Sequence, residues 1–102
     1  MIIYNVTSSV DESITKDWLN WMKTKHIPEL IDCGCFLKVQ INKVITQADT
    51  NNTFAISYTC INMSELHRYQ VNFSSDFQKK HRLRFGNQVD SFRTILEVIE
   101  EF

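Results

Sequence analysis

Polar and apolar residues alternate from the start of the chain. Ile2, Tyr4, Val6 and Val10 share one parity, and Ile3, Asn5 and Thr7 share the other, a period of two that predicts a strand over 2–10. At Asp11 the period changes. Asp11 can cap a helix with Glu12 in its first turn, and Ile14, Trp18, Trp21 and Met22 then recur at spacings of three and four. Lys16, Asn20 and Lys23 fall on the opposite face, which leaves Leu19 and His26 at the edge of the apolar stripe. Pro28 lacks a backbone N–H and biases Ile27 away from helix, so a kink or restart is expected there, with Gly34 ending the element.

Cys35, Leu37, Val39 and Ile41 alternate with Phe36, Lys38, Gln40 and Asn42, which predicts a second strand over 35–45, and the β-branched and aromatic run over 53–61 predicts a third. The polar stretch 46–52 between them reads as a hairpin loop. Ser64 is a candidate N-cap for Leu66, Tyr69 and Phe73 at helical spacing, and Ser74-Ser75-Asp76 interrupts this helix before a segment running from Phe77 to Arg84. After a turn at Gly86-Asn87, alternation returns over 89–99 as a fourth strand.

Strand, helix, strand, strand, helix, strand is the order of the split βαβ, or ferredoxin-like, arrangement. The expected fold class is α+β, one domain over 1–102, with a four-stranded antiparallel sheet and both helices on one face. The parity with Tyr4, Val6, Leu37, Val39, Ile56, Tyr58, Phe92 and Leu96 is expected beneath the helices. The other parity carries Ile3, Phe36, Ile61, Ile95 and Ile99 among Asn5, Thr7, Lys38, Gln40, Thr59, Arg93 and Glu97. This half-apolar face has no third layer in the sequence to cover it, which predicts a homodimer with Asn5, Thr7, Arg93, Ile95 and Glu97 in the interface.

Composition narrows the partners. A net charge of -1 supplies no long-range field for nucleic acid or an acidic membrane, and no apolar run approaches the ~20 residues that cross a bilayer. The opening residues lack a signal-peptide pattern, so a cytoplasmic location is expected. Three cysteines, two of them flanking Gly34, read as free thiols of a reducing compartment. The spacing of Cys33 and Cys35 is not that of a redox pair or a zinc site. No hydrolase, P-loop, zincin or dinucleotide motif occurs, so no cofactor and no metal are expected and no reaction is spelled out.

His26 is the best catalytic candidate. An imidazole titrating near pH ~6.5 at the border of an apolar cleft can exchange protons, although the same side chain could simply cap a helix C-terminus. Trp18 and Trp21 on one helix face, with Tyr4 and Tyr58 from the sheet, could wall a ligand pocket around His26, or could be ordinary core. His81 allows the same two readings. If both histidines end their helices, antiparallel packing places them about a helix length apart, which argues against a pair. His67, beside Leu66, is expected to be exposed. The basic cluster Lys79 to Arg84 lacks the aromatic interleaving of a single-strand binder and reads as a solvated helix end.

The opening MIIYNVT, the segment WLNWMKTKHIPELIDCGCF, the turn HRLRFG and the closing SFRTILEVIEEF together resemble a small bacterial family defined only as a domain of unknown function. That family is similar to the dimeric α/β-barrel superfamily, which implies two ferredoxin-like protomers with their sheets pressed together. Superfamily members include cofactor-free monooxygenases, isomerases, haem-degrading enzymes and plain ligand-binding modules, commonly with a cleft between helices and sheet. The resemblance assigns no role to any residue. It implies a small organic ligand in the helix-sheet cleft; the alternative is a non-enzymatic dimeric module that contacts other proteins.

Overall fold

The computed structural model describes residues 1–45 and 52–102. Strand β1 (Ile2–Val10) lies inside the sheet, between β3 (Thr53–Cys60) and the edge strand β4 (Val89–Glu97), while β2 (Lys38–Lys43) forms the other edge. All three pairings are antiparallel, in the order β2-β3-β1-β4. This is the ferredoxin-like α+β fold. The hairpin expected over 46–52 lies almost wholly outside the described residues. No helix among them is long and apolar enough to cross a membrane.

Asp11 caps the first helical run as expected: its carboxylate accepts from the Ser13 N–H at 3.0 Å. After one 3-10 turn the run continues as α1 (Thr15–Trp21), a π turn (Met22–His26) and α2 (Ile27–Asp32). The α-helix restarts around Pro28, which occupies its first turn. A proline has no N–H for the carbonyl one turn back, and the widened π register absorbs that loss. The Ile27 N–H bonds back to the Met22 carbonyl. Gly34, at φ +79°, closes the run by donating to the Ile31 carbonyl, the left-handed stop for which glycine is suited.

The second helical layer is α3 (Met63–Asn72) and α4 (Ser74–Phe85), broken at Phe73. The interruption follows the sequence expectation, but the cap does not: Asn62 rather than Ser64 accepts from the Glu65 N–H at 3.0 Å, two residues earlier than expected.

The face beneath the helices carries Ile2, Tyr4 and Val10 from β1 and Phe54, Ile56 and Tyr58 from β3, packed on Trp18, Leu30, Leu66 and Phe77. Two expectations about this face need correction. Strand β2 starts at Lys38, so Cys35 and Phe36 precede it and both are buried; Phe36 lies against Tyr58 and Tyr69, whereas Leu37 is exposed. In β4 the two faces are exchanged. The register pairs Val6 with Arg93 and Tyr4 with Ile95, and residues paired across a ladder share a face. Arg93, Ile95 and Glu97 therefore lie on the helix side, and Phe92, Thr94 and Leu96 lie on the open face beside Ile3, Asn5 and Thr7. Since the strand period is two, misplacing one residue inverts a whole strand.

Candidate functional site

A cleft of about 230 Å3 opens between the π turn, α4 and the helix-side face of β1 and β4. Trp18, Met22, Ile56, Tyr58 and Phe77 form much of its wall, and its polar groups come from Ser8, His26, Gln78, His81, Arg82, Ser91 and Arg93. Among the described residues, no aspartate or glutamate lines it.

The π turn places His26 here. Residues four apart share one side of a helix, and the smaller advance per residue in a π turn swings His26 back towards the side of Trp18; Met22 and His26 are both buried. His26, expected at the edge of the stripe, is only 9% exposed. Its ring stacks on Trp21 with centroids 4.9 Å apart and meets Phe77 edge-on at 5.8 Å. Its Nδ1 is buried without a hydrogen-bond partner, a condition that costs free energy and is uncommon in folded proteins. Burial above all, with His81 and Lys80 adding repulsion, holds the imidazole down to about 4 from its usual 6.5. It is neutral near pH 7.

His81 lies beside it, with ring centroids 6.3 Å apart, which corrects the expectation that the two histidines are held at opposite ends of the sheet. That expectation took His26 for a helix terminus. The helical run instead continues six residues beyond it, to Asp32, and α4 packs alongside, so that Trp18 meets His81 and Glu29 meets Lys80. The buried Trp18 indole N–H donates to His81 Nε2 at 2.9 Å. An accepting Nε2 requires the neutral imidazole with its proton on Nδ1. Burial, and then the nearby Arg93 charge, also lower the His81 pKa. The site therefore holds two neutral imidazoles, one fixed in its tautomer by a tryptophan.

Arg93 reaches the cleft from the edge strand, and its Nε donates to the Tyr4 hydroxyl at 2.9 Å. The Ser8 and Ser91 hydroxyls share a hydrogen bond of 2.8 Å across β1 and β4. Of the residues expected to bind a ligand, Trp18, His26 and Tyr58 line the cleft. Tyr4 stands behind it through Arg93. Trp21 stacks on His26 but faces a separate open groove with Lys25, Glu29, Lys80, Leu83 and Arg84. Tyr58 and Tyr69 have their pKa values raised, chiefly by burial, so their phenols stay protonated.

Sequence reasoning missed Arg93, Arg82, Ser8, Ser91 and Gln78 as cleft residues. The β1 to β4 register would have identified Arg93 and Ser91, but β4 has apolar side chains on both parities and does not announce its register. His67 is exposed, as expected. Cys35 and Cys60 are buried with their thiols pushed up to about 11, first by burial, which makes them poor nucleophiles. No cluster of three or more metal-ligating side chains occurs among the described residues.

The sequence matches, over residues 1–99, the family described as Domain of unknown function (DUF4286), and the chain belongs to that family. No curated protein matches it. Solved structures share its fold at low identity. A dimeric ferredoxin-like protein from an uncultured marine organism is 10% identical with a TM-score of 0.77, over 99% of this chain and 96% of that one. An antibiotic biosynthesis monooxygenase is 8% identical with a TM-score of 0.71, over 98% and 100%. An ethyl tert-butyl ether d (ethd) family protein from Bacillus halodurans is 9% identical with a TM-score of 0.67, over 97% and 100%.

Proposed function

Starting from membership of this family of unknown function, we propose that the chain is a one-domain, dimeric α/β-barrel protein of the bacterial cytoplasm that binds a small organic ligand in the helix-sheet cleft. The cleft carries the reading. It is walled by Trp18, Tyr58, Met22 and Phe77 and reaches His26, an open cleft in which apolar wall and convergent polar groups, two perturbed imidazoles among them, are about equally represented. A packed protein interior would close such a space, because voids forfeit dispersion contacts. His26 is the catalytic candidate: its imidazole is neutral near pH 7 and, held down to about 4 by burial, acts on a ligand as a weak base or hydrogen-bond partner.

The proposed second subunit is another copy of this chain seated on the open sheet face. Phe92 is 62% and Leu96 46% exposed there, beside half-buried Ile3, Asn5 and Thr7. A similar fold is described as a dimeric ferredoxin-like protein. With the faces of β4 corrected, Phe92, Thr94 and Leu96 replace Arg93, Ile95 and Glu97 as that strand's contribution to the interface, while Asn5 and Thr7 keep their place.

Native mass spectrometry of the purified protein tests both parts. A dimer mass carrying a retained small molecule is the expected result. A monomer at micromolar concentration overturns the dimer. A ligand-free dimer whose Trp18 indole N–H signal stays unmoved through a screen of small organic compounds overturns the cleft reading and favours a non-enzymatic interaction module.

A further inference from the structure

We infer that the ligand of this cleft is a small organic carboxylate with an apolar body, its carboxylate held by the fork of the Arg93 guanidinium. The inference rests on the cleft reading above and adds the charge and shape of the occupant.

Charge comes first. Arg82 and Arg93 line the cleft and, among the described residues, no carboxylate does. The ion pairs of the described residues lie elsewhere, between Arg68 and Glu65 and between Lys80 and Glu29. Glu97 shares a strand face with Arg93 but lies four residues further on, about 13 Å along the strand. Among the described residues, Arg93 is therefore a cation at the cleft without a carboxylate partner.

Geometry comes second. The hydrogen bond from Arg93 Nε to the Tyr4 hydroxyl fixes one edge of the guanidinium. Its two Nη groups remain for a ligand, and two N–H donors in one plane match the two oxygens of a carboxylate. His81 points the same way: its Nε2 already accepts from Trp18, so the remaining ring nitrogen of the neutral imidazole is a donor. An acceptor-rich ligand head answers both groups.

Shape comes third. Val6, Met22, Ile56 and Phe77 supply apolar wall, which would be wasted on an inorganic anion. A volume of about 230 Å3 corresponds to about eight waters at ~30 Å3 each, enough for one benzene ring bearing a carboxylate.

The test is a titration of the full-length protein with sodium benzoate and 3-phenylpropanoate, against the neutral amides benzamide and 3-phenylpropanamide, at physiological ionic strength. Binding is followed at the Trp18 indole N–H by NMR. At least one carboxylate is expected to bind roughly tenfold or more tightly than its amide, the factor that charge-assisted hydrogen bonds supply. Arg93→Gln should abolish that preference by weakening the carboxylate far more than the amide, and Arg93→Lys should restore only part of it. Equal binding of acid and amide at the Trp18 signal overturns the carboxylate inference and leaves the cleft reading standing. So does inorganic phosphate that competes as well as benzoate. A preference that survives Arg93→Gln removes Arg93 from the role. If none of the probes moves the Trp18 signal, the carboxylate inference is wrong, and the wider compound screen decides whether the cleft reading falls with it.

Discussion

Replacing His26 with leucine is expected to stabilise the protein, and to do so increasingly as the solution is acidified. The wild-type ring buries an unpaired Nδ1, a condition worth about 1–3 kcal/mol against the folded state. Losing the stack on Trp21 returns about 0.5–1.5 kcal/mol of that gain, so near neutral pH the net effect is on the order of 1 kcal/mol in favour of the variant. Acid adds a second contribution. Folded His26 titrates at about 4 and the unfolded side chain near 6.5, so folding favours the neutral form. Above pH 6.5 neither state binds the proton and the stabilisation is fully present. As pH falls from 6.5 towards 4, the unfolded chain takes up a proton that the folded chain refuses, and stability is lost. Linkage with these two values removes roughly 2 kcal/mol between about pH 7 and about pH 5. The groups facing His26 are His81 and Lys80. His81 is also shifted downwards, so it contributes acid sensitivity of the same sign to both proteins, and subtracting one protein from the other removes most of it. The assay is urea unfolding of wild type and His26→Leu at both pH values and one fixed protein concentration. The stability gap between the two proteins should widen by roughly 2 kcal/mol on acidification. A gap equal at the two pH values would refute the argument that His26 is buried neutral, and a variant destabilised at pH 7 would refute the cost assigned to its unpaired nitrogen.

Other expectations follow from the same structure. Phe92→Asp should dissociate the proposed dimer, because it puts a charge at a side chain 62% exposed on the open face; light scattering at micromolar concentration reads the mass, and an intact dimer would exclude Phe92 from the interface. Trp18→Phe removes the donor to His81 Nε2, so the His81 pKa should rise in an NMR titration, with a stability cost of about 1–3 kcal/mol for the acceptor left unpaired and a further cost for the cavity left by the smaller ring; an unmoved pKa would show that the indole does not hold the ring neutral. Against a thiol reagent at about pH 8, half-buried Cys33 should react first, because Cys35 and Cys60 are buried with pKa values of about 11; fast modification of Cys60 in the folded protein would contradict its burial.

The parts of the fold legible in the sequence were those in which one periodic signal dominates. Strand β1 alternates cleanly from Ile2 to Val10, and its expected and observed bounds coincide. The Phe73 break between α3 and α4 was marked one residue late by a cluster of cap formers. The start of β2 was not legible, because alternation from Cys35 continues through an irregular segment, and Phe36 turns inwards onto Tyr58 and Tyr69 before the ladder begins. Period alone does not separate a strand from an extended approach to one.

The two errors that mattered for function have one origin: a residue's side of the molecule was inferred from its own segment when it was fixed by another. Arg93 belongs to a strand with Phe92 and Leu96 on one parity and Ile95 on the other, so hydrophobicity cannot orient it. The pairing of Val6 with Arg93 does, and the turn after α4 sets that pairing, with the Asp11 N–H bonded to the Gln88 carbonyl at 2.8 Å as the ladder begins. His26 was assigned to a helix end because the restart expected at Pro28 puts it in the last turn of helix one, but the π turn accommodates the proline and carries the helix through to Asp32. The same turn rotates His26 inwards, onto His81. A proline two residues after a histidine thus marks the irregularity that builds the site. Residues expected to lie in two places, Arg93 in a dimer interface and His26 alone in a cleft, line one cavity.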